Sequence, residues 1–229
     1  MIRSGTQNFR KLRMAAFDPT SPCLVIAPHL KLPPNNGANI LIERKWSQFS
    51  NHVPHVDIIG EKTVSRYERG QLVDRKEFSN RHRSKNLASV RTVLYQSHFL
   101  LERFLTKRFM IESSKYLNTG NYKTIVFSLI HAASLIDHPE CREKPDRKSL
   151  FVVETQNDEI LWFRNIFTAT RNPAAKIVSW LSLRWVKSFL KSHKSDLFLV
   201  HMTEEDQKGY LVCRSCRGRY RGKDRFIQF

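Results

Sequence analysis

The sequence predicts an α/β protein in which a Rossmann-like parallel sheet is flanked by helices. Three observations carry that expectation. Short, bounded apolar runs alternate with longer segments of helical period, the pattern of parallel βαβ units covered on both faces. Polar residues gather where an apolar run ends, as in "VVETQNDE" at 152–159, which is where βα proteins keep their sites. The 229 residues, 41% of them hydrophobic, are enough for one well-packed domain.

Taken in chain order, "CLVIAPHL" at 23–30 is the first bounded apolar run. "ANILIERKWSQFSN" at 38–51 follows, with Ile40, Ile42, Trp46 and Phe49 at mixed helical spacing. "HVDIIGEKTV" at 55–64 reads as a second strand, and "QLVDRKEFS" at 71–79 alternates as an edge strand would. Residues 89–117 read as one long amphipathic helical stretch, with Val90, Leu94, Leu101, Leu105 and Ile111 among its apolar positions. "KTIVFSLI" at 123–130 and "SLFVVET" at 149–155 read as buried strands. The clearest helix is 172–194, with Pro173 suited to its first turn. Its apolar residues Ile177, Leu181, Trp185 and Phe189 are flanked by Lys176, Arg184, Lys187, Lys191 and Lys194. Packing of that face on the sheet is the expectation, with contact to an anionic membrane as the alternative. "DLFLVHM" at 196–202 is a further apolar run, and Thr203 with Asp206 in "TEED" makes a capping-box-like helix start. A parallel sheet would gather 31–39, 154–159 and 202–206 on the rim at the carboxyl ends of its strands.

The formal charge of +18 favours an anionic partner: nucleic acid, a phosphate-bearing substrate or an acidic membrane surface. Arg214, Arg217, Arg219, Arg221, Lys223 and Arg225 crowd the last stretch, yet the chain stays basic without them. Cys23, Cys141, Cys213 and Cys216 are few and irregularly spaced, which suits a reducing compartment. The N-terminus lacks an apolar core of signal-peptide length, and the longest apolar run, 124–136, is too short to span a bilayer. These features read as a cytoplasmic protein.

Four groups of residues invite chemistry. Gly37, between an apolar run and a helix, could let a phosphate approach the main chain, although neither a dinucleotide fingerprint nor a P-loop is present. By pattern alone it is a turn glycine. Glu154 and Asp158 could orient hydroxyls or act as a base, or 157–159 could simply cap a helix with Asn157. Cys213 and Cys216 form half a zinc ribbon with no matching pair, so no metal site is assigned. His131 and His201, inside apolar runs, read as core or rim residues rather than ligands.

In combination, three segments resemble the N-terminal domain of retaining, family-four-like glycosyltransferases of the GT-B fold. They are "LVIAPHLKLPPNNGANILIER" (24–44), "VVETQNDEILWFRN" (152–165) and "LVHMTEEDQKGY" (199–210), in matching order. The resemblance implies transfer of a sugar from a nucleotide-sugar, the co-substrate, to an acceptor hydroxyl, with no separate cofactor. It places Asn36, Gly37 and Ala38 at the donor phosphates. It places Glu154, Gln156, Asn157 and Asp158 on the acceptor side, and Thr203 and Glu204 on the rim. No side-chain base is demanded, because the leaving phosphate helps take the acceptor proton; Gln156 and Asp158 are the candidates nearest to one. Gln156 stands where the family commonly has histidine, and an amide can hydrogen-bond a hydroxyl without exchanging a proton near neutral pH.

The implied organisation is a basic extension (1–20), the glycosyltransferase-like domain (21–211) and a basic tail (212–229) read as non-native or disordered, with truncation before the donor-binding domain. A separately encoded donor domain then becomes a possible partner, and lipid-linked acceptors in relatives suggest peripheral contact with the inner face of a membrane. The rival readings are a nucleic-acid-binding protein using the arginine-rich tail and a non-catalytic partner protein. Nucleic acid is disfavoured because no recognition motif is present and the aromatics are not interleaved with the basic residues.

Overall fold

The computed structural model describes residues 18–119, 122–139, 149–155, 159–193 and 197–201. They form one seven-stranded sheet in the order β4-β3-β2-β1-β5-β6-β7. The strands are β1 (Cys23–Ile26), β2 (Val56–Ile59), β3 (Thr63–Glu68), β4 (Gln71–Glu77), β5 (Thr124–Ser128), β6 (Leu150–Thr155) and β7 (Leu197–His201). The five strands β2-β1-β5-β6-β7 run parallel, and β3 and β4 extend one side as an antiparallel hairpin. This is the expected Rossmann-like α/β fold.

The apolar runs became strands because they are buried on both faces. Every residue of β1, β2 and β5 is buried, as a central parallel sheet demands. β4, with Asp74, Arg75, Lys76 and Glu77, is mostly exposed and is the edge strand that its weak alternation predicts.

Two expectations are corrected. The single strand expected at 55–64 is the whole of β2, a tight turn and the start of β3. Gly60 makes that turn possible: a Cβ there would lie 2.7 Å from the Leu30 carbonyl oxygen. The long helix at 89–117 is three helices, α2 (Lys85–Tyr95), α3 (Phe99–Phe104) and α4 (Lys107–Thr119). Ser84 caps α2 through the Leu87 N–H, Gln96 ends it in a left-handed conformation (φ 49°), and Thr106 Oγ1 accepts the Phe109 N–H at the start of α4.

The remaining helices are α1 (Gly37–Phe49), the short α5 (Ile130–Ala133) with a 3₁₀ turn after it, α6 (Glu159–Ala169) and α7 (Pro173–Ser192). Asn172 caps α7, and Val178, Leu181, Val186, Phe189 and Leu190 are buried, so the helix packs as expected, although Ile177 and Trp180 stay half exposed. α1 covers β1 and β2 on one face through Ile42 and Trp46. On the other face Phe109, Ile130, Ile160 and Phe189, from α4 to α7, pack against Ile125, Phe127 and Val153. Coverage is therefore unequal. Among the described residues no helix lies over β6 and β7 on the α1 face.

Candidate functional site

The chain leaves β1 towards β2 over the α1 face and leaves β5 towards β6 and β7 over the other. The sheet's direction of travel reverses between β1 and β5, and in open α/β sheets that crevice is where ligands sit. Because the strands are parallel, the exits of β1, β5, β6 and β7 share one rim, and the Asn36 turn and Glu154 both lie there, as expected.

At the exit of β1, Asn36 is extended (φ −151°) and its Oδ1 accepts the Asn39 N–H at 2.9 Å, opening α1. Asn36, Gly37 and Ala38 are exposed. The first-turn N–H groups of Gly37 and Ala38 have no intrahelical acceptor, so they face outward with the positive end of the helix. Among the described residues nothing lies within 4 Å of the place a Gly37 Cβ would occupy, and its φ is not positive. Neither backbone conformation nor packing requires glycine at this position.

At the exit of β5, Leu129 holds φ 75° and ψ 154°, a region essentially reserved for glycine and costing on the order of 1–3 kcal/mol. Two hydrogen bonds fix the segment. The Leu129 N–H donates to the Glu154 carbonyl oxygen at 2.8 Å, and the Ile130 N–H donates to Glu159 Oε1 at 3.0 Å.

Glu154 ends β6 with its side chain towards α1, where Lys45 forms a short ion pair with its Oε1. The Lys45 ammonium also lies 4.8 Å from the Trp46 ring centroid. Glu154 is 2% exposed, so its carboxylate ties α1 to β6 and does not open to the rim. Glu159, also 2% exposed, stands at the start of α6 on the opposite face. His98 Nε2 and His131 Nδ1 each lie 3.6 Å from one of its oxygens. The two rings are stacked, 6.1 Å apart and 11° from parallel, with Phe163 and Trp185 against His98. Burial, and secondarily His131, hold the His98 pKa well below the usual histidine value.

Of the residues singled out in the sequence, Asn36, Gly37 and Ala38 open α1 after β1, and Glu154 lies near the end of β6 with its carboxylate turned to Lys45 rather than to the acceptor side. Gln156, Asn157, Asp158, Thr203, Glu204, Cys141, Cys213 and Cys216 lie outside the described residues. The cluster of His98, His131 and Glu159 was missed as a unit, because three residues from three segments share no local pattern. His131 is nonetheless a core residue, as its apolar neighbours suggest. Among the described residues no three His, Cys, Asp or Glu side chains are placed to hold a metal ion, and no helix is long and apolar enough to cross a membrane. Compared with known proteins, the chain gives no significant match to any family model, curated protein or solved structure.

Proposed function

We propose that this chain carries the acceptor-side, Rossmann-like half of a GT-B glycosyltransferase, which positions a hydroxyl acceptor for sugar transfer from a nucleotide-sugar. One observation carries the reading: Gly37 opens, exposed, the helix that follows β1, a strand at the sheet's switch point, with no positive φ and no close neighbour among the described residues that would require glycine. Open space there and two outward N–H groups fit a phosphate oxygen approaching the main chain. The strained Leu129 at the neighbouring strand exit fits the same crevice, since such strain clusters at functional sites.

In this reading the protein's work is positioning and charge stabilisation. The N–H groups of Gly37 and Ala38 hold the donor diphosphate as negative charge develops on it. Glu154 and Lys45 lock α1 to β6 so that the turn keeps its place. Gln156, Asn157 and Asp158 present hydrogen-bonding groups to the acceptor, and the leaving phosphate takes the acceptor proton. The half-exposed Ile177 and Trp180 beside the basic residues of α7 suit peripheral contact with a membrane that holds the acceptor.

The test is a titration of the full chain with UDP-glucose, GDP-mannose and inorganic pyrophosphate, followed at the Gly37 and Ala38 amide resonances, with duplex DNA as the comparison. Saturable movement of those two amides by a phosphate-bearing probe is expected. Tight, salt-dependent DNA binding with no response to any of the three probes would replace this reading with the nucleic-acid one.

A further inference from the structure

The sheet face that carries α1 also holds a cavity of about 290 Å³, near the lower end of the size of small-molecule sites. It lies where no described helix covers β6 and β7. Trp46 and Phe49 of α1 wall it, and Val126, Val152, Phe198 and Val200 form an apolar floor. Three polar atoms in its lining have no hydrogen-bond partner among the described residues: Glu154 Oε2, Trp46 Nε1 and Thr124 Oγ1. Each belongs to a side chain that is more than nine-tenths buried. Native proteins leave few such groups unsatisfied, because each costs free energy when cut off from water. A larger cavity of about 400 Å³, against α7 on the opposite face, has no such unpartnered atom in its lining. Of these two cavities, the smaller combines an apolar floor with polar groups that no described residue satisfies.

The register locates those groups. Thr124 pairs with Leu150 and Ser128 with Glu154, so Thr124 and Glu154 mark the two ends of a stretch of about 13 Å along the strands. The occupant must therefore be elongated, apolar in the middle and hydrogen-bonding at its ends. Its charge is constrained as well. Lys45 already neutralises Glu154, so a cationic head would meet the Lys45 ammonium and an anionic head the Glu154 carboxylate. A hydroxyl suits both, since it donates to Glu154 Oε2 and can accept from an N–H.

We propose that this cavity is a binding site for a neutral, elongated aliphatic alcohol, its hydroxyl on Glu154 Oε2 and its chain along Val126, Val152 and Val200. The site lies beneath α1 rather than in the crevice between β1 and β5, and it stands whether or not the chain transfers sugars.

Calorimetric titration of the full chain, with no nucleotide-sugar present, tests it with 1,10-decanediol, decylamine and decanoate. Saturable binding of the diol is expected, with both ionic analogues at least tenfold weaker. Val200→Trp fills the cavity and should abolish diol binding while the circular dichroism spectrum and melting temperature are retained. If Val200→Trp fails to fold, Phe198→Trp fills the same space by a smaller step and is read the same way. The proposal is overturned if the diol does not bind up to its solubility, if the ionic analogues bind equally well, or if the filled variant still binds.

Discussion

Glu154 and Glu159 lie five positions apart, are equally buried and flank the same strand exit, yet their surroundings have opposite character. Glu154 faces α1 and is neutralised by the Lys45 cation. Glu159 faces the other helical layer, where its partners among the described residues are a backbone N–H and two fully buried imidazoles, with no Lys or Arg ion pair. Leu129 and Ile130 connect the two, one donating to the Glu154 backbone and the other to the Glu159 carboxylate. The same rim is thus braced by a fixed charge pair on one face and by a proton-dependent cluster on the other. Acid should distinguish them.

The largest expected effect is on the charge pair. Lys45→Met leaves the Glu154 carboxylate buried without its cation and should cost about 3 kcal/mol near neutral pH. Urea unfolding at pH 7 checks this, and a loss below about 1 kcal/mol would mean that the pair acts as an exposed one does.

Across the sheet the effect depends on pH. His98 stays neutral in the folded chain but takes up a proton in the unfolded chain, so below the unfolded histidine pKa of about 6.5 stability falls with pH. One such proton contributes up to about 1.4 kcal/mol per pH unit. His98→Phe keeps the ring against Phe163 and Trp185 and should remove that share of the acid slope. His55 and His82, whose pKa values are also lowered by burial, keep theirs. An unchanged slope between pH 6.5 and 5 would show that the cluster is not proton-dependent through His98.

A smaller effect sits where the two sides meet. Leu129→Gly releases backbone strain and should stabilise the chain by about 1 kcal/mol, net of the partly buried side chain that is lost. Thermal unfolding reads this directly. Destabilisation instead would place the value of Leu129 in its side chain.

The fold was legible because parallel strands announce themselves: the runs at 23–30, 123–130 and 149–155 are apolar on both faces for a local physical reason. Breaks set by single residues were harder. Gly60 divides β2 from β3 through a close approach to Leu30, a residue 30 positions away that no window contains. Ser84 and Thr106 cap the starts of α2 and α4, but the apolar period across 89–117 runs over the breaks between α2, α3 and α4. At the rim, Gly37 and Glu154 could be read from their place after apolar runs. The pairing of Glu154 with Lys45, and of Glu159 with His98 and His131, depends on which face each side chain takes, and only the three-dimensional packing fixes that.

On the proposed function, Gly37 is glycine for a ligand and not for the fold. Gly37→Val puts a side chain into space that is empty in the structure, so stability should stay within about 0.5 kcal/mol, as for exposed substitutions elsewhere. The decisive measurement is the affinity of this variant for UDP-glucose, GDP-mannose and pyrophosphate, set beside its unfolding free energy. A loss of at least tenfold in binding with unchanged stability is predicted. Unchanged binding, or a loss of stability that accounts for it, would return Gly37 to the role of a turn residue.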